Sequence, residues 1–193
     1  MRIISGRHKG RIIPSLAQED YRPTTSKFRE ALFSILSSGE FGESDVIKDA
    51  KMLDLYAGTG SLSFEALSRG IRSVTLVDTN EKYLQIAREF AQKIKEEDKF
   101  FCIKCSAINL LYSNIKYDIV VMDPPYGKKL ITKTLRSLVQ NNWLSDNCII
   151  AIESEPDEKF QLEDNMHILQ KRKYGNSKLT IISYVKDQKT ICM

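Results

Sequence analysis

Leu53-Asp54-Leu55-Tyr56-Ala57-Gly58-Thr59-Gly60 is a short apolar run that carries an acid near its end and passes through two closely spaced glycines, with a helical pattern opening at Ser61. Glycine is the residue that lets a backbone turn sharply and approach a ligand where any Cβ would collide. A strand that stops at such a turn and continues into a helix is how an open parallel sheet presents a ligand site at the carboxyl ends of its strands. Working outward, the hydrophobic pattern predicts strands over 51–56, 73–78, 100–105, 117–122, 147–153, 166–173 and 178–185, and helices over 61–69, 80–97 and 128–141. Alternation of this kind predicts a mostly parallel sheet covered by helices. The last two strands meet through Tyr174-Gly175-Asn176-Ser177, a connection short enough to predict an antiparallel pair.

The next strand end is also acidic. Val77-Asp78 falls 18 residues beyond Gly60, and a carboxylate there can accept both hydroxyls of an adenosine ribose. A dinucleotide enzyme is the competing reading of Gly58-x-Gly60, but its third small position falls on Ser63. The fourth strand decides between them. It ends in Met122-Asp123-Pro124-Pro125-Tyr126, for which a dehydrogenase has no use. Each proline lacks an N–H, so nearby carbonyls stay open to an outside donor. Asp123 adds a carboxylate acceptor, and Tyr126 a ring face for stacking a base, a contact worth about 1–3 kcal/mol. Two acceptors aimed at the hydrogens of a nucleobase amine localise its lone pair on nitrogen. The two motifs together therefore predict an S-adenosylmethionine-dependent enzyme that methylates an exocyclic amine, with Asp123, Pro124 and Tyr126 as catalytic candidates. Asp54, Tyr56, Gly58, Gly60, Asp78, Ser106, Ala107 and Asp123 are the candidate cofactor contacts. Ser106 and Ala107 qualify because the third strand ends there, where the adenine would lie.

Composition narrows the setting. The 193 residues are 42% hydrophobic and 28% charged, which describes a folded globular protein. No apolar run has the length of a membrane span, so the expectation is a cytoplasmic protein with no membrane partner, and nothing demands more than a monomer. Cys102 and Cys105 have zinc-knuckle spacing but lie in a predicted strand, and His8 and His167 are the only histidines, so no metal is expected. The net charge of +4 is unevenly placed: residues 1–29 hold seven Arg and Lys against Glu19 and Asp20. Ile3-Ile4 and Ile12-Ile13 bracket a basic, glycine-bounded turn, which predicts a hairpin. Its Arg2, Arg7, Lys9 and Arg11 are candidate contacts to a polyanion. The domain division expected is a basic hairpin extension over 1–20 and a catalytic domain over 21–193. A helix capped near Thr25 or Ser26 should bury Phe28, Ala31, Leu32, Ile35 and Leu36. Glu65 and Arg69, four apart, read as a pair that stabilises their own helix, and Phe28, Phe33 and Phe64 as core.

Several of these segments together resemble the RsmD-type 16S ribosomal RNA (guanine-N2) methyltransferases. They are Met1-Arg2-Ile3-Ile4-Ser5-Gly6 with Lys9-Gly10-Arg11, Arg22-Pro23-Thr24 with Arg29-Glu30-Ala31-Leu32-Phe33, the glycine motif, Glu65-Ala66-Leu67-Ser68-Arg69-Gly70, and Asp123-Pro124-Pro125-Tyr126. The resemblance implies a Rossmann-like class I methyltransferase fold, a seven-stranded mostly parallel sheet with an antiparallel C-terminal strand and an N-terminal β-hairpin that touches RNA. It also implies that Arg22 and Thr24 close over the cofactor, and that the acceptor is guanine N2 in small-subunit ribosomal RNA, within an assembling particle. The alternatives are a DNA adenine-N6 methyltransferase, disfavoured because 193 residues leave no room for a target-recognition domain, and a non-catalytic RNA-binding assembly factor.

Overall fold

The computed structural model describes residues 1–15, 26–41 and 46–186. Its elements, in chain order, are α1 (Ser26–Leu36), β1 (Lys51–Leu55), α2 (Ser61–Arg69), β2 (Ser73–Asp78), α3 (Glu81–Lys93), β3 (Phe100–Lys104), β4 (Tyr117–Met122), α4 (Ile131–Gln140), β5 (Leu144–Ser154), β6 (Met166–Tyr174) and β7 (Ser177–Tyr184). One seven-stranded sheet runs in the order β3-β2-β1-β4-β5-β7-β6. The first five of these strands pair in parallel, and β7 is antiparallel to both neighbours. The chain leaves β1 in one direction and returns to it from the other with β4, which makes the carboxyl ends of β1 and β4 the topological switch point.

Strand alternation divides the core in two. Met52, Val74, Leu76, Ile119, Val121, Ile149 and Ala151 face one layer with α1, α2 and α3. Leu53, Leu55, Val77, Val120, Met122, Ile150 and Ile152 face the other with α4. Phe28, Phe33 and Phe64 are buried as expected, and Phe64 sits stacked on Phe100 and edge-on to Phe90.

Three boundaries differ from the pattern reading. The third helix stops at Lys93 because Lys95 takes a left-handed φ of 61°. Helix α4 begins at Ile131, after Gly127 and Lys129, both with positive φ. Strand β5 starts three residues early, at Leu144, through the irregular polar step Ser145-Asp146-Asn147, with Asn147 at φ 64° and a register shift against β4.

The N-terminal segment is a hairpin: Arg2 and Ile12 form an antiparallel bridge, and Ile3 N–H donates to the Arg11 carbonyl at 2.9 Å. It is no separate layer. Ile3 and Ile13 enter the same core as Phe28 and Phe33, while Ile12 stays exposed. The fully buried Arg29 of α1 donates to the Arg2 carbonyl at 3.1 Å.

Candidate active site

The parallel register brings the predicted motifs to one edge. Leu55 pairs with Val77 on one side and Met122 on the other, so the residues that follow each of these strands emerge together. Asp123 N–H reaches the Leu55 carbonyl at 3.5 Å, and Ala57 N–H the Val77 carbonyl at 3.2 Å.

Asp54 is buried just before the turn. Its Oδ2 accepts from Ser63 N at 3.2 Å and Ser63 Oγ at 2.7 Å, which ties the first turn of α2 to β1. Burial pushes its carboxyl up to about 7, against the Ser63 hydrogen bonds that lower it; the negative charges of Asp123 and Asp78 add to the rise. Asp78 accepts from Gly58 N and from Asn80 N, each at 2.8 Å, so its carboxylate braces the glycine turn from the side. Gly58 and Gly60 have φ of 55° and 81°. A Cβ at Gly60 would lie 2.8 Å from Leu76 Cδ2, so the Leu76 side chain would have to shift in addition to the strain of the left-handed φ. Tyr56 holds a left-handed φ of 61°, rare for a bulky residue and characteristic of strained backbone at sites. Its hydroxyl lies 2.6 Å from Thr134 Oγ1, which in turn donates to the Leu130 carbonyl. Tyr56 thus anchors the turn to α4 through its hydroxyl.

Ser106 and Ala107 follow β3 and open a 3-10 turn over Ala107–Asn109, with Ala107 buried and Ser106 half-buried. At the end of β4, Asp123 and Tyr126 are half-buried, Pro124 is buried and Pro125 exposed. Arg22 and Thr24 lie outside the described residues. The half-buried Asp78 and Asp123 therefore converge on the switch point, with Asp54 buried behind a turn whose shape depends on glycine. This set fits a cationic, nucleoside-bearing group such as S-adenosylmethionine: acids for a sulfonium and for ribose hydroxyls, and a turn with Gly58 and Gly60 for close approach.

Pattern reading missed two residues. Glu153, buried at the end of β5, accepts from the Tyr126 hydroxyl at 3.4 Å; an acid closing the run Ile149-Ile150-Ala151-Ile152 is the same signal that marked Asp78. Glu65 is the other. Its Oε2 accepts from Ile4 N at 2.8 Å, and its Oε1 from Ser5 N at 3.1 Å and Arg69 Nε at 2.9 Å. The expected pair within one helix is present, but the same fully buried carboxylate fastens the hairpin.

Ser68, one turn on, donates to the Ser5 carbonyl, accepts from His8 N, and offers its own carbonyl to Arg7 N at 2.8 Å. The four hairpin cations proposed for RNA, Arg2, Arg7, Lys9 and Arg11, are all exposed. Arg7 is in addition paired with the buried Glu96 at 2.7 Å, beside His8 Nε2 at 2.6 Å from the same carboxylate. Cys102 sits in β3 with its thiol pushed up to about 11 by burial. Among the described residues no group of three or more His, Cys, Asp or Glu side chains is placed to hold a metal ion.

The strand order and the carboxylate-lined switch point define the class I methyltransferase architecture. A putative methyltransferase from Escherichia coli superposes with a TM-score of 0.84 at 28% identity, covering 97% of this chain and 99% of that one. An RNA methyltransferase from Salinibacter ruber, solved in complex with S-adenosyl-L-homocysteine, has the same fold at 11% identity, with a TM-score of 0.65 over 86% and 95% of the two chains. In sequence, the family model described as Conserved hypothetical protein 95 matches residues 1–183. The ribosomal RNA small subunit methyltransferase D of Haemophilus influenzae is 31% identical over 95% of this chain and 91% of its own length. An uncharacterized methylase of Rickettsia prowazekii is 34% identical over 95% and 98%. The chain belongs to this family, that of the small-subunit methyltransferase D proteins.

Proposed function

We propose that this protein transfers a methyl group from S-adenosylmethionine to the exocyclic N2 of a guanine in small-subunit ribosomal RNA, acting as a cytoplasmic monomer on an assembling particle. The observation that carries the reading is Asp123-Pro124-Pro125-Tyr126 at the switch point, one strand from Asp54 and two from Asp78. S-adenosylmethionine, when bound, supplies a methyl group already activated on a sulfonium. What remains for the protein is alignment and control of the amine. Asp123 Oδ and the Pro124 carbonyl accept from the two N–H bonds of the amine, which concentrates its lone pair on nitrogen. Tyr126 stacks on the extruded base, and its hydrogen bond to Glu153 fixes the ring. After transfer the methylated nitrogen is a strong acid, and Asp123 or water takes its proton.

The test is methyl transfer from radiolabelled S-adenosylmethionine to protein-bound small-subunit RNA, naked ribosomal RNA and duplex DNA, followed by digestion to nucleosides. N2-methylguanosine in RNA is the expected product. N6-methyladenine in DNA, or cofactor binding without transfer to any acceptor, would overturn the assignment.

A further inference from the structure

The hairpin accounts for one basic surface; a second lies on the opposite face of the sheet. Because β4 and β5 are parallel neighbours, α4 between them runs down from the catalytic edge. Lys128 and Lys129, which follow Tyr126 and Gly127 in the turn before α4, are exposed, and the exposed Lys133 and Arg136 lie three residues apart on one face of α4 below them. Lys133 and Arg136 border an open groove of about 620 Å³ whose other wall is Asn109 and Leu111, on the segment that leaves the predicted adenine end of β3. Ser137 in the groove floor donates no charge but accepts from Leu110 N at 3.0 Å, which fixes the two walls together. The acid facing this stripe is Glu163, whose contact at 3.4 Å engages only the Nε of Arg136.

At the lower end stand two large side chains that the fold holds in solvent. Leu111 is 81% and Tyr112 68% exposed. Neither is a loose tip. The Leu111 carbonyl accepts from Trp143 Nε1 at 2.7 Å, Ser113 N–H donates to the Asn141 carbonyl, and Tyr112 Oη accepts from Asn142 Nδ2. A cationic stripe that tracks a backbone, ending at a fixed exposed ring, is the arrangement that binds single-stranded nucleic acid.

We infer that the α4 groove is a second RNA site, which receives the single strand flanking the target nucleotide: phosphates on Lys129, Lys133 and Arg136, a base against Tyr112. The inference rests on the reading above that RNA is the substrate. The hairpin and this groove flank the catalytic edge on opposite faces of the sheet, so the strand passes over that edge between them.

The probe is a fluorescently labelled single-stranded oligoribonucleotide, its binding followed by anisotropy across a salt series. Each phosphate contact to a single strand contributes about 0.7 to the slope of log affinity against log salt, so Lys133→Ala with Arg136→Ala lowers the slope by about 1.4 and the affinity at ~0.1 M salt by about 25-fold. Tyr112→Ala weakens binding without changing the slope. All three positions are exposed, so the melting temperature of each variant stays near its wild-type value. An affinity and slope unchanged in the double variant would overturn the inference and leave the groove to a protein segment. The outcome is independent of catalysis: lost affinity supports the groove even where no methyl is transferred, and unchanged affinity sinks it in a fully active enzyme.

Discussion

Replacing Glu65 by alanine removes one carboxylate from three partners at once. Ile4 N and Ser5 N lose a charged acceptor at 2.8 and 3.1 Å, and Arg69, 18% exposed, loses its counter-ion at 2.9 Å. A hydrogen bond to a charged group contributes about 1.5–3 kcal/mol, and removing one partner of a buried ion pair costs about 3–5 kcal/mol. These overlap, because the same oxygens serve both roles. The guanidinium of Arg69 also keeps its position over the Phe33 ring, 5.1 Å from the centroid. The loss expected is therefore about 3–4 kcal/mol, from a total stability of order 5–15 kcal/mol. With a urea slope of about 2 kcal/mol/M, the midpoint falls by roughly 1.5–2 M. Circular dichroism during urea unfolding measures this, and hydrogen exchange at the Ile4 and Ser5 amides separates a hairpin effect from general loss of packing. Glu65→Gln keeps the volume but turns one acceptor into a donor, and loses about half as much. A Glu65→Ala midpoint within ~0.3 M of wild type, with Ile4 and Ser5 still protected, would refute the claim that this carboxylate holds the hairpin.

Four further outcomes are expected. Asp54, lifted from 3.8 to about 7, keeps in the folded state a proton that the unfolded chain has released; folded protein binds the extra proton across that window, so stability falls as pH rises from about 4 to about 7, by up to ~4 kcal/mol. Asp54→Asn should erase that slope in pH-dependent urea unfolding, and equal slopes in both proteins would count against a buried neutral Asp54. Gly6→Ala would put its Cβ 1.9 Å from the Ser68 carbonyl oxygen at a φ of 82°, lifting the hairpin off α2 at a cost of about 1–3 kcal/mol; an unshifted melting temperature would show that the clash is absorbed. Asp123→Ala should abolish methyl transfer while calorimetry still detects cofactor binding, and an active variant removes Asp123 from the chemistry. Lys9→Ala with Arg11→Ala should lower the RNA salt slope by about 1.4, whereas Arg7→Ala, whose guanidinium is held by Glu96, should leave the slope nearly unchanged and lower the melting temperature.

The sheet was legible because each of its main strands declares itself by composition: β1, β2 and β4 are short apolar runs ending in Asp or in a glycine turn, and their helices repeat at helical spacing. Periodicity reports which face a residue buries, and this sufficed to bring Asp54, Asp78 and Asp123 to one edge. It does not report partners distant in the chain. Glu65 looked like half of a local pair with Arg69 because its other partners, Ile4 and Ser5, lie 60 residues upstream. That the exposed Arg7 is also paired with Glu96 was hidden for the same reason, since Glu96 lies 89 residues away. Tyr56 stands among the cofactor candidates for its place in the motif, and its hydroxyl bond to Thr134 on α4 is a second role that only the packed structure shows. The early start of β5 was hidden for a different reason: Ser145-Asp146-Asn147 is polar and irregular, and the strand is joined to β4 ahead of it only by the Leu144–Tyr117 pair, with Ser145 Oγ donating to the Tyr117 carbonyl.

Helix α2 links the two halves of the proposed activity. At its first turn Ser63 is bonded to Asp54 at the glycine turn; at its last turn Ser68 holds the hairpin through Ser5, Arg7 and His8. From Gly60 to Ser68 a helix rises about 1.5 Å per residue, or roughly 12 Å, which in a stacked strand of about 3.4 Å per nucleotide is three to four nucleotides. The helix runs away from the catalytic edge, so the tip of the hairpin, clamped between Ser68 and Glu96, stands beside the opposite end of α2 from the reacting amine. In the proposed activity the exposed Lys9 and Arg11 would contact phosphates a few nucleotides from the target and leave the base pocket itself free. Because Glu65, Ser68 and Glu96 hold the hairpin through hydrogen bonds and ion pairs to buried side chains, that separation is rigid. On that reading the hairpin would act as a fixed spacer, and which base reaches Asp123 would depend on the path of the RNA backbone as well as on the base itself.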